Sequence, residues 1–137
     1  WSDYIATTQW KYGDITTFNT STSMYNREQA FSNTIDAKIG LMYIHDYLYA
    51  HPGWNQGSVK KSLTSWIYSE TNEWLMTRYG TNSSTGTYDA WYVEDDENFV
   101  DNEAINTALS VRPVLYLVDT ATIASGTGTS TDPFILS

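Results

Sequence analysis

The run Leu109–Ser110–Val111–Arg112–Pro113–Val114–Leu115–Tyr116–Leu117 limits the fold of this chain more than any other stretch. Its apolar residues follow one another almost without interruption, the pattern of a strand covered on both faces. It is therefore expected to be the central strand of a sheet. Pro113 has no N–H to give to a ladder, so it belongs at a bulge, a strand start or an unpaired position, and it biases Arg112 towards an extended conformation. Arg112 thus carries a charge into an apolar segment. A guanidinium there needs carboxylate or carbonyl partners for its planar fork, which gives it a structural role.

A strand of this kind needs a core around it, and 137 residues with 41% hydrophobic and 15% aromatic content supply one. We expect a single domain, 1–137. The 6 Trp and 11 Tyr outnumber the 4 Phe, which suits polar-tipped rings in the core and a surface able to stack on ligands. With 16 acidic against 7 basic residues the net charge is −9, the wrong sign for holding phosphate backbones, so nucleic acid is not an expected partner. Cysteine is absent, which removes disulfides, thiol nucleophiles and thiolate metal sites. No apolar run approaches the roughly 20 residues that span a bilayer. Trp1 is not an initiating residue, so the chain is expected to be the C-terminal part of a longer exported protein, with any leader or membrane anchor upstream.

Along the chain, Tyr4–Ile5–Ala6 and Trp10–Lys11–Tyr12 look extended, and a helical turn is expected from Ser23 through Phe31. Ile39–Gly40–Leu41–Met42–Tyr43–Ile44 reads as a second buried strand, followed by a short helix Tyr47–Ala50 with Asp46 as its N-cap. Trp54 to Lys61 reads as an exposed loop and Ser62 to Tyr68 as a short helix. Glu73 to Tyr79 alternates as a third strand, and Gly80 to Thr87 has turn chemistry throughout. Tyr88–Val93 and Asn98–Val100 flank Glu94–Asp95–Asp96–Glu97 as a hairpin with an acidic tip. The tail combines a Gly/Thr turn with a last short apolar strand.

Several of these pieces occur together in one order: Lys38–Ile39–Gly40–Leu41–Met42–Tyr43 with Asp46–Tyr47, Glu73–Trp74–Leu75–Met76–Thr77, Ala90–Trp91–Tyr92–Val93, Val111–Arg112–Pro113–Val114–Leu115–Tyr116–Leu117, and Ser125–Gly126–Thr127–Gly128–Thr129–Ser130–Thr131–Asp132–Pro133–Phe134. Over residues 24–136 the chain resembles a family of bacterial surface domains, frequent in gut Firmicutes, related to the formylglycine-generating-enzyme branch of the C-type-lectin-like fold. The resemblance implies an α+β domain with a twisted antiparallel sheet, one or two short helices and long loops. It also implies an extracellular, cell-surface setting, as in adhesins, pilin-like proteins and receptor-binding tips. The family shares a scaffold more than an activity. The oxidase of this branch works through paired cysteines, which are missing here. Calcium-dependent lectins carry Glu-Pro-Asn or Gln-Pro-Asp and Trp-Asn-Asp triplets, and neither set occurs.

Glu94, Asp95, Asp96, Glu97, Asp101 and Glu103 place six acids within ten positions, but without the EF-hand pattern, and they read as a solvated hairpin tip; no metal or cofactor is expected. His45 and His51 read as surface or cap histidines, since no serine stands in a nucleophile elbow, and no catalytic residue is assigned. Trp66, Trp74 and Trp91 fall in apolar patterns and read first as core, with Trp54 the better candidate for an exposed ring. Tyr79, Asn82, Tyr88, Trp91, Asn98 and Asn106 belong to the segment that commonly forms the loop face of such folds, and their chemistry suits recognition. The expected function is a non-enzymatic recognition or adhesion module binding a protein or glycan on another cell, or subunits of its own appendage. The alternatives are the globular head of a pilin-like or fibre subunit and, behind it, a metal-assisted hydrolase.

Overall fold

The structure is a computed structural model that describes residues 2–17, 21–50, 67, 70–81, 86–95 and 100–137. It is an α+β domain in which the strand β4 (Glu73–Thr81), not the Val-Arg-Pro run, is the hub. In β4 the side chains of Glu73, Leu75 and Thr77 are buried while Trp74, Met76 and Arg78 are half-buried on the opposite side. One edge of β4 pairs antiparallel with β5 (Tyr88–Val93), which pairs in turn with β6 (Val100–Ala104). The other edge is shared among three short segments. Ser110–Val111 (β7) runs parallel to Glu73–Trp74, Met42 accepts the N–H of Met76 at 2.8 Å, and Gly13 and Ile15 bond Arg78 at 3.2 and 2.9 Å.

The expected central strand is thereby corrected. Pro113 cannot continue the ladder of β7, so the run breaks there and Pro113–Val114 (β8) pairs with a different partner, Gly40–Leu41 (β3). Val111 lies at the sheet edge and is 63% exposed. Arg112, between the two pieces, turns inward as its chemistry requires. Its Nη1 donates to the Ile67 carbonyl at 2.5 Å, and its Nη2 lies 2.6 Å from Glu73 Oε2 as an ion-pair contact without hydrogen-bond alignment.

Ahead of β4, Thr8–Tyr12 (β1) pairs antiparallel with Asn33–Ala37 (β2), a strand whose polar sequence shows no burial pattern and which the sequence reading missed. Between them runs the helix α1 (Ser21–Gln29), whose Met24 and Glu28, four residues apart, form its buried face. Of the expected strand Ile39–Ile44, only β3 is extended, and Ile39 is exposed. The helix α2 (Ile44–Ala50) takes over at Ile44 because carboxylates receive its first N–H groups. Asp46 Oδ2 accepts from Tyr43 at 3.1 Å and Glu28 Oε1 from Ile44 at 3.2 Å. Asp46 is thus the third-residue partner of a capping box, not the N-cap itself.

The two helices cover the inner face of the sheet. Ile15, Met24, Ile44, Leu48, Leu75 and Val93 form the heart of the core, with Ile67 against it. Tyr4 to Val118 closes the domain: Ala6 donates to Tyr116 and Val118 to Tyr4, both at 2.9 Å. Trp10 packs between Tyr43 and Tyr116 and directly over Gly40, where any Cβ would meet its ring at 2.6 Å. The chain ends in a hairpin of Ile123–Ser125 (β9) and Ile135–Leu136 (β10). The expected loop at 54–61, most of the expected helix 62–68 and the hairpin tip 96–99 lie outside the described residues. No helix among the described residues is long and apolar enough to cross a membrane.

Candidate recognition face

Among the described residues the helices lie on one side of the sheet, and the alternation of β4, β5 and β6 turns a second set of half-buried and exposed side chains to the other. Directly paired residues share a face, and the register sets out its columns: Trp74 opposite Tyr92, Tyr92 opposite Asp101, Arg78 opposite Ala90, Ala90 opposite Glu103, and Val111 beside Trp74. Trp74 and Tyr92 meet edge to face with centroids 6.2 Å apart. At the far end Tyr88 is 58% and Ile105 59% exposed. Ile105 is held there by its N–H, which donates to the Tyr88 carbonyl at 3.0 Å.

Two shallow depressions mark this face. One of about 340 Å³ is lined by Arg78, Tyr88, Asp89 and Ile105. The other, about 260 Å³, runs between Leu41, Trp74, Met76 and Ala90 and shares Arg78 and Ile105 with the first. Arg78 is oriented by Asp14, with Nε 2.8 Å from Oδ1. Along the β6 side the charge is negative. Glu94 Oε1 accepts from the Tyr92 hydroxyl at 3.3 Å, and partial burial together with Glu94, Asp101 and Glu103 pushes the Tyr92 phenol up to about 12.

The expected site residues divide on this geometry. Tyr88 and Asn106 are exposed, Asn106 in the turn that follows β6. Trp91 is 5% exposed on the inner face and its indole donates to the Ile15 carbonyl at 2.7 Å, so its reading as core stands and its place among the candidate ligand residues is corrected. Tyr79 packs against it at 5.3 Å, half-buried. A bulge beside Gly80, whose φ of 125° suits glycine, shifts the register between Arg78 and Gly80 as the strand leaves the core. Asn82 and Asn98 lie outside the described residues, as do Trp54, Trp66 and His51. Trp74, Met76 and Tyr92 are the face residues the reading missed. Period-two alternation was visible in both strands, but it does not say which side the helices take.

His45 is also corrected, from a surface or cap residue to a buried one. Its Nδ1 lies 2.5 Å from Glu28 Oε2 and its Nε2 3.1 Å from Asp46 Oδ1, with Tyr43 stacked on the ring and Tyr25 and Tyr49 edge-on. Burial opposes the charge, but the hydrogen bonds and charges of Asp46 and Glu28 outweigh it and push the imidazole up to about 9. The hydroxyl in this cluster, Thr77, is fully buried and donates to Glu28 rather than to His45. Both ring nitrogens face carboxylates, so none is free to ligate a metal, and no metal-holding group of three or more such residues occurs among the described residues. The cluster joins α1, α2 and β4.

Fold and face together define an α+β domain whose sheet packs one side on the core and turns half-buried and exposed side chains to the other. No protein-family model, no curated protein and no solved structure matches the chain.

Proposed function

We propose that this chain is a non-enzymatic, extracellular recognition or adhesion module with a C-type-lectin-like fold, binding a protein or glycan through the second face of the sheet and the loops at its Tyr88 end. The carrying observation is the row of exposed Tyr88, Ile105 and Val111 with half-buried Trp74 and Tyr92 between them, an apolar and aromatic surface on the side of the sheet away from the buried core. Contiguous exposed apolar surface of this kind marks interaction sites. Antiparallel pairing of β4, β5 and β6 with two short helices agrees with the proposed fold. The test is adhesion of the purified domain to a panel of cells and immobilised glycans. A folded W74A/Y88A double variant is expected to lose the binding of the parent, and undiminished binding would sink the assignment of the face.

The structural-subunit reading has its own support at the C-terminal hairpin. Ile123, Phe134 and Ile135 are exposed there, and a depression of about 290 Å³ opens between Tyr4 and Pro133–Leu136. Sedimentation across a concentration series separates the readings, since an assembly surface drives self-association that I123S/I135S removes.

A further inference from the structure

Resting on the recognition reading, we propose that the depression between Arg78, Tyr88 and Ile105 is a subsite for one ring of an uncharged sugar, with Arg78 donating to its oxygens and the Tyr88 ring against its C–H face. Tyr88 and Ile105 expose an aromatic ring and a branched side chain to an opening of about 340 Å³, within the size range of small-molecule sites. Arg78 lines the same opening with its side chain half exposed. Its place beside Asp14 is set by the backbone: the Arg78 N–H donates to Gly13 at 3.2 Å, its carbonyl accepts from Ile15 at 2.9 Å, and Asp14 and Arg78 form a parallel bridge. The ion pair then runs through Nε, 2.8 Å from Asp14 Oδ1, and no hydrogen bond joins Nη1 or Nη2 to another described residue. The charge of Arg78 is therefore matched while its outer N–H donors stay available. A guanidinium in this state suits neutral oxygens. A carboxylate would have to approach Asp14 on a chain of net charge −9, and an ammonium group would meet Arg78 itself. Asp89, which also lines the opening, is buried and accepts from the Thr87 hydroxyl at 3.2 Å, and its charge adds to the bias against acidic ligands. A pyranose supplies hydroxyl oxygens for the guanidinium and a face of C–H groups for the phenol ring, which is rigid and orders at low entropic cost.

The experiment uses the intact chain and small probes: the methyl glycosides of glucose, galactose, mannose and N-acetylglucosamine as neutral rings, methyl glucuronide as the acidic one and methyl glucosaminide as the basic one. Binding is followed by the NMR signals of the Arg78 Nε–H and the Tyr88 ring. At least one neutral glycoside is expected to shift both signals with a Kd on the order of 1 mM, and R78K and Y88A each to weaken it about tenfold, because lysine lacks the fork and alanine the ring. D14N is expected to bring the glucuronide about tenfold closer to the neutral glycosides, and D36N, which removes the same charge from an exposed position elsewhere, to leave the ratio unchanged. Tighter binding of the glucuronide or the glucosaminide than of every neutral glycoside, with shifts at Arg78 and Tyr88, overturns the uncharged class while leaving the recognition reading standing. Neutral binding undiminished in R78K and Y88A places the sugar elsewhere and overturns the subsite. Silence of both signals with all probes up to about 100 mM also overturns it, and the W74A/Y88A adhesion test then decides separately whether the face recognises anything.

Discussion

His45 Nδ1 lies 2.5 Å from Glu28 Oε2, and because the two residues sit on different helices, α1 and α2 are joined by a buried ion pair as well as by apolar contact. The same carboxylate faces the N–H groups of Ile44 and His45, so one side chain holds a charge and starts a helix.

This arrangement makes stability depend on pH. His45 binds its proton more tightly folded, at about 9, than its ordinary value of 6.5. The contribution is fully present below pH 6.5 and is lost as pH rises through about 9, a change of roughly 2–4 kcal/mol. Denaturant unfolding at pH 6, 8 and 10 reads it directly. The parent is expected to weaken across this range, and H45Q to follow a flatter course.

Removing the carboxylate should cost more than removing the charge of its partner. E28A leaves the buried imidazolium short of an acceptor and exposes two helix-start N–H groups to an apolar neighbourhood. A loss of about 3–5 kcal/mol is expected, measured as a shift in the unfolding midpoint. A loss below about 1 kcal/mol would show that the ion pair is not a structural joint.

Arg112 ties the edge of the sheet to Ile67 and to Glu73, which is buried at the start of β4. Lysine keeps the charge but lacks the fork that reaches a carbonyl and a carboxylate together. R112K is expected to lose about 1–3 kcal/mol, and amide exchange should rise first at Ser110 and Glu73.

Trp74 and Trp91 should respond in opposite ways. W91A opens a cavity in the core and costs about 3–5 kcal/mol. W74A removes a half-buried ring from the second face, is expected to cost roughly 1–2 kcal/mol and, on the proposed recognition role, to lower adhesion. Thermal unfolding and adhesion measured on both variants give the contrast. Equal destabilisation would place Trp74 in the core.

Gly126 has φ 94°, and a Cβ there would meet the Pro133 carbonyl oxygen at 2.1 Å. G126A is expected to loosen the loop in which Asp132 Oδ2 accepts from Thr127 N and Oγ1 at 3.0 and 2.9 Å. Faster exchange confined to β9 and β10, with the core unchanged, is the expected result.

The residues by themselves determined what short-range chemistry controls. The alternation of Glu73–Tyr79 marked one strand, Tyr88–Val93 read as the arm of a hairpin, the Gly/Thr turn before Pro133 marked a last short strand though not its partner Ile123–Ser125, and Arg112 in an apolar run demanded polar partners. Tertiary structure decided which strand is central, because Pro113 divides a run whose hydrophobicity alone suggests continuity and sends its halves to β4 and β3. It also decided that Trp91 faces inward and Trp74 outward. A strand pattern fixes that neighbours alternate but not which side is covered, and that side is set by where α1 and α2 pack. His45 follows the same rule: its partner Glu28 is 17 residues away, and only the packing of two helices makes a buried charge of a histidine that stands alone in the sequence.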